Sequence, residues 1–372
     1  MEVSSHIEIE GPSETSLRRG FRQRTCSRRF FTVIAASTVI VFIVLCIILA
    51  RRTRTSAWSN MVHIISHGGD ASYIELMTPA LLAIRYSYTG TYGSSRQVKE
   101  VNSTLGEGWE RFRTLDADPE DGGFHGLVFW QAETRRLILA MRGMDLDSSQ
   151  VSGQADTCGV MLLLLGKTYE TLPRMCQRFS QQVLDYLASA EAFADRALEV
   201  FKPSETLMVG HSLGAGLSML VAARLSRAER WQPRVLTLAT VDFSAALKAR
   251  VHRDFWELQA DRYVIIDNSL DPVGWWSPGP SGVDGPTLCT FTSSPEPADC
   301  STCHESFDAN AWHKFLSHDW NSECSSCFTQ VHTLGRYLRN LRGTLEKPPL
   351  HRPSCKKFGS STLALPFKDD IV

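Results

Sequence analysis

Ser212 lies at the centre of Gly210-His211-Ser212-Leu213-Gly214, which has the spacing G-x-S-x-G. Leu207, Met208 and Val209 before it read as an apolar strand, and Leu217, Leu220, Val221 and Leu225 after it recur at helical spacing. Between a strand and a helix, this spacing makes a sharp turn with a serine at its apex. So tight a reversal crowds the backbone, and Gly210 and Gly214 remove the Cβ atoms that would clash. The first turn of the helix aims unbonded N–H groups at the same spot. The Leu213 N–H is placed to hold a developing oxyanion.

A serine hydroxyl is a weak nucleophile at neutral pH. It needs a base within hydrogen-bond reach, and the base needs an acid to fix its tautomer. On this kind of turn the three follow in chain order: serine, carboxylate, histidine. Asp271 is the leading acid, because it follows the apolar strand 263–266 and precedes Pro272, which stiffens the turn. Asp267 is its nearest rival. Five histidines come later: His304, His313, His318, His332 and His351. His332 opens the last helical stretch, where Leu334, Tyr337, Leu338 and Leu341 would pin the helix to the core and hold the ring. His318 is the second choice; with His313 it sits in a Cys-rich loop. A second oxyanion donor belongs at the end of a neighbouring strand. The apolar stretch 137–141 runs into Arg142-Gly143-Met144, which puts forward the Met144 N–H. This chemistry needs no metal and no organic cofactor.

The elements that must position these groups alternate. A helix is predicted over 74–88, with Pro79 as a start or kink. Residues 127–130 and 137–141 read as two strands of a hairpin. A long amphipathic helix over 174–201 leads into the strand before Ser212, and 235–241 and 263–266 are further strands. A final helix covers 328–343 and is closed by Gly343. The run Val160–Leu165, at the end of a segment from Asp145, reads as an apolar lid or as a core strand. Strands alternating with helices imply an α/β fold with a mostly parallel central sheet.

Four separated motifs resemble, in chain order, the class 3 or fungal-lipase-like family. They are Arg142-Gly143 after an apolar strand, the segment 210–216 ending in Ala215-Gly216, Asp271-Pro272-Val273, and the segment 332–338. The Ala-Gly after the elbow looks especially like the diacylglycerol lipase branch. The resemblance covers roughly residues 71–343 and implies an α/β-hydrolase fold that hydrolyses acylglycerol esters. It assigns Ser212 as nucleophile, Asp271 as acid, His332 as base, and Leu213 and Met144 as oxyanion donors. The chain departs from the family where Met144 replaces its Thr or Ser and where Leu165-Gly166-Lys167 stands near its His-Gly pair. Residues 277–327 form an unusual insert.

The 372 residues carry a net charge of −1, and basic residues do not cluster in the body of the chain, which argues against nucleic acid. Phe30 to Ala50 is uncharged and long enough to cross a bilayer as a helix. A cleaved signal peptide is the rival reading, but the apolar core is too long and Arg51-Arg52 is a poor cleavage site. Six arginines precede the segment and three follow it, which favours a single-pass anchor with a cytosolic N-terminus and a lumenal or extracellular body. The expected layout is a disordered tail (1–29), the anchor (30–50), a linker (51–70), the hydrolase-like domain (71–345) and a flexible tail (346–372). Cys300, Cys303, Cys324 and Cys327 form two C-x-x-C pairs that suit a structural zinc site or, in a lumenal body, disulfides. Lipid at a membrane surface is the expected partner. An inactive lipase-like scaffold and an esterase or thioesterase for soluble acyl groups are the alternatives.

Overall fold

The computed structural model describes residues 58–89, 105–117, 123–144, 151–164, 168–241, 255, 259–269, 271, 285–291, 330–342 and 352–357. Within them, eight strands form one sheet whose spatial order follows the chain. They are β1 (Trp109–Arg111), β2 (Gly126–Gln131), β3 (Arg136–Met141), β4 (Glu205–His211), β5 (Arg234–Leu238), β6 (Tyr263–Asn268), β7 (Thr287–Phe291) and β8 (Ser354–Lys357). β3 through β7 run parallel, and the pairs at the two edges are antiparallel. The helices are α1 (Met61–His67), α2 (Asp70–Thr89), α3 (Val151–Leu164), α4 (Gln181–Leu184), α5 (Tyr186–Phe201), α6 (Leu213–Arg227) and α7 (Leu334–Arg342).

Helices cover both faces of the sheet, so the parallel strands are apolar on both sides. Alternate side chains go to opposite cores. Leu137, Leu139 and Met141 of β3 pack with α5 and α6, whereas Ile138 and Ala140 pack with α1, α2 and α7. Register aligns Met141 with Gly210, His211 with Leu238, and Leu238 with Ile266. The C-terminal ends of β3, β4, β5 and β6 therefore lie along one edge, where the loops that carry chemistry emerge.

Several expectations are corrected. The stretch 174–201 is not one helix. Cys176 is drawn into a disulfide with Cys158, and Ser180 and Asp185 each cap a new helix start by accepting the Val183 and Ala188 N–H groups. Met175, expected on the buried face, is 47% exposed. The run from Val160 belongs to helix α3, not to a core strand; Ala155 and Cys158 face inward, and Met161, Leu162 and Leu163 are half-buried. The stretch taken as a tail contains β8, which pairs with β7 and is bonded to it through Cys289–Cys355. β7 itself lies within the stretch read as an insert, and α1 within the stretch read as a linker. The segment 30–50 and the two C-x-x-C pairs lie outside the described residues. Among the described residues, no helix is long and apolar enough to cross a membrane.

Candidate active site

β4 brings Gly210 and His211 to the sheet edge, and the chain turns at Ser212 into α6. Ser212 has φ 56° and ψ −123°, a region that a residue with a Cβ rarely occupies. Such a conformation costs on the order of 1–3 kcal/mol and persists only where the surroundings enforce it. They do so here. The Ser212 N–H donates to the Leu238 carbonyl of β5 (3.0 Å), and its own carbonyl accepts from the Ala215 N–H (3.0 Å). A Cβ on Gly210 would overlap the Gly214 backbone, and one on Gly214 would overlap the Met141 carbonyl oxygen. Strand, turn and helix thus fit together only with glycine at both places.

Asp271 is placed by the turn that leaves β6. Its N–H donates to the Asn268 carbonyl (2.8 Å), and the Ser269 N–H donates to the Phe291 carbonyl of β7 (2.8 Å). His332 sits in a helical turn just before α7. Its Nδ1 lies 2.9 and 3.1 Å from the two Asp271 carboxylate oxygens, and its Nε2 lies 3.0 Å from Ser212 Oγ. A carboxylate only accepts, so Nδ1 carries the proton and Nε2 is left to accept from the serine hydroxyl. Ser212 is 8%, His332 5% and Asp271 0% exposed, so water hardly competes for these bonds.

The structure thus brings Ser212, His332 and Asp271 into one hydrogen-bonded series. Asp267, the rival acid, instead accepts weakly from the Thr240 N–H (3.4 Å). Burial and the neighbouring Asp271 push its pKa up to about 8, so it is protonated at neutral pH. The Leu213 N–H lies in the first turn of α6, where helix geometry supplies no acceptor. The end of β3 runs past the serine: a Cβ on Gly143 would lie 3.2 Å from Ser212 Cβ, and Met144 follows directly. His313 and His318 lie outside the described residues. Among the described residues, no group of three or more His, Cys, Asp or Glu is arranged to hold a metal ion.

Solved structures similar to this chain include fungal lipases. Lipase II from Rhizopus niveus is 14% identical, over 70% of this chain and 98% of that one, with a TM-score of 0.38. The Rhizomucor miehei triacylglyceride lipase is 14% identical, over 63% and 89%, with a TM-score of 0.37. A lipase from Rhizopus microsporus var. chinensis is 13% identical, over 61% and 77%, with a TM-score of 0.36. No protein-family profile matches the chain, and no curated protein matches it. Similarities this distant carry no chemistry; the arrangement of Ser212, His332 and Asp271 stands on the distances between them.

Sequence reasoning missed the groups behind this series. The Tyr337 hydroxyl donates to Asp271 Oδ2 (2.7 Å) and accepts from the Asn268 N–H (3.0 Å). The sequence offered Tyr337 only as an apolar position of the last helix; its hydroxyl carried no signal of its own. The His211 ring and the Tyr88 hydroxyl form a second, part-buried contact next to the serine in the chain (2.8 Å). Adjacency to Ser212 was the only hint for His211. Arg142, at the end of β3, makes a buried ion pair with Asp156 of α3 (3.0 Å), and the Tyr186 hydroxyl donates to the same carboxylate. Asp156 and Tyr186 lie in segments whose pairing only the fold reveals.

Proposed function

We propose that this chain is a serine hydrolase of carboxylic esters, with acylglycerols as its substrate class. The observation that carries this reading is the series Ser212 Oγ, His332 Nε2, His332 Nδ1 and Asp271, assembled at a strained turn (φ 56°). In the reaction, Ser212 Oγ attacks the ester carbonyl carbon while His332 Nε2 takes its proton. The carbonyl oxygen becomes an oxyanion held by the Leu213 and Met144 N–H groups, each worth about 3 kcal/mol by comparison with donors of this kind. Collapse breaks the bond to the alcohol, which leaves with the proton from His332. Water then attacks the acyl-serine with the same proton traffic and releases the fatty acid. Asp271 keeps the imidazole in the required tautomer and offsets the charge of the imidazolium.

Three further features support lipid as the substrate class. Ala215-Gly216 after the turn favours the diacylglycerol branch of the resemblance. The half-buried Met161, Leu162 and Leu163 of α3 give a lid an apolar edge. The apolar segment Phe30–Ala50 would tether the domain at a membrane, where an insoluble ester is concentrated. The disulfides Cys158–Cys176 and Cys289–Cys355 favour a body in an oxidising compartment, consistent with a cytosolic N-terminus. The test is a panel of diacylglycerol and triacylglycerol emulsions and soluble short-chain esters, run on wild type and Ser212→Ala. The expected result is release of fatty acid from the emulsions, with kcat lowered roughly 10⁴–10⁶-fold in the variant. Turnover of soluble esters alone would replace the lipid reading with the esterase one. No turnover of any ester by folded protein would favour a scaffold.

A further inference from the structure

Tyr88 and His211 join three parts of the site that come from distant stretches of chain. His211 Nε2 lies 2.9 Å from the main-chain carbonyl oxygen of His332, and Nδ1 lies 2.8 Å from the Tyr88 hydroxyl. A carbonyl only accepts, so Nε2 carries a proton. Burial and the adjacent His332 lower the His211 pKa to about 3, so the ring is neutral and Nδ1 is bare. Tyr88 is therefore the donor. The opposite tautomer would set the Nε2 lone pair against the His332 carbonyl and Nδ1–H against the tyrosine hydroxyl. The His332 carbonyl thus selects the tautomer, and the Tyr88 hydroxyl, turned to donate, holds the bare Nδ1 and so orients the ring that grips the His332 main chain.

The same hydroxyl also lies under the end of β3. A Cβ on Gly143 would overlap Tyr88 Oη and come within 2.5 Å of the His211 carbonyl oxygen. The His211 ring packs 4.9 Å from the His332 ring and edge-on to Tyr337 at 5.7 Å. Asp271 fixes the direction of the His332 ring but not the height of the main chain that carries it. That main chain lies in a helical turn followed by a bend at Thr333.

We propose that Tyr88 and His211 are positioning residues: a hydroxyl–imidazole pair that sets the main chain of His332, and so the distance from its ring to Ser212, while seating the Gly143–Met144 segment beside the serine. The inference rests on the hydrolase reading and deepens it. Neither side chain is required to touch substrate.

The test uses the full chain and a short-chain p-nitrophenyl ester, with Tyr88→Phe, His211→Ala and His211→Gln. Misplacing a reacting group by about 1 Å costs on the order of 100-fold, so His211→Ala should lower kcat by about that factor and change KM by less than about twofold. Tyr88→Phe keeps the ring and removes the hydroxyl that orients His211 through Nδ1, so kcat should fall about tenfold. His211→Gln keeps an N–H for the His332 carbonyl and should recover most of the loss. Nitrogen NMR of the folded wild type should show His211 with a bare Nδ1 and a protonated Nε2. Wild-type kcat in Tyr88→Phe and His211→Ala, no rescue by His211→Gln, or a protonated Nδ1 would each overturn the inference. Should His211→Ala fail to fold, Tyr88→Phe and the tautomer decide. A wild type inert towards all esters would instead sink the hydrolase reading, and the tautomer stays measurable without turnover.

Discussion

Asp271 is fully buried and yet acceptably placed, because donors converge on it: the His332 Nδ1–H, which faces both oxygens, and the Tyr337 hydroxyl at Oδ2. Asp271→Asn preserves shape but can donate to Nδ1, which favours the wrong imidazole tautomer. We expect kcat to fall about 10⁴-fold with the fold intact, read by ester turnover alongside a melting curve. Tyr337→Phe removes the hydroxyl that bridges the Asn268 N–H and Asp271 Oδ2, and should cost about 1–3 kcal/mol in denaturant unfolding. Asp267 gives a pH signature. Its folded pKa is raised to about 8 from 3.8, so the folded state holds a proton that the unfolded state releases. Its contribution to stability therefore worsens as pH rises from about 4 to 8 and is level above that. The melting temperature of Asp267→Asn should gain on wild type across that window and not beyond it. At this scale the legible residues were those fixed by a turn motif or by chain order. Ser212 declares itself through its glycines, and Asp271 through its place after a strand. Tyr337, His211 and Tyr88 did not, because a hydroxyl or ring bonded across 66 to 123 positions leaves no local pattern.

Among the elements, α3 has the most unusual setting. It follows the end of β3 and is tied back to it through the Arg142–Asp156 pair, whose side chains are 5% and 1% exposed. Tyr186 of α5 bonds the same carboxylate, and a Cβ on Gly159 would meet the Tyr186 ring at 2.8 Å. Breaking one side of a buried pair strands a charge, so Asp156→Ala should destabilise by about 3–5 kcal/mol, read by urea unfolding. Because Arg142 adjoins Gly143 and Met144, the same variant should also lower kcat. Glycine and capping side chains decided what periodicity could not. The run Val160–Leu164 is apolar throughout, so its spacing fits strand and helix alike. The split between α4 and α5 followed from the caps at Ser180 and Asp185 and from the tie at Cys176, neither visible in an apolar count.

The whole molecule joins a parallel sheet, closed at one edge by β8 and the Cys289–Cys355 bond, to a chain whose first fifty residues include a bilayer-length apolar segment. The sheet was legible from alternating apolar strands and helices. Its outer strands were not: β1 and β8 are three and four residues long, and a short polar edge strand has no period to read. The proposed function needs the strained turn, the base and the acid acting as a unit. A fluorophosphonate probe reports this directly, because it bonds only to a serine whose proton can be taken. The expected result is covalent labelling of the folded protein at Ser212, mapped by peptide mass, absent from Ser212→Ala and strongly slowed in His332→Ala. Folded wild-type protein that stays unlabelled, or that labels as fast without His332, would contradict it.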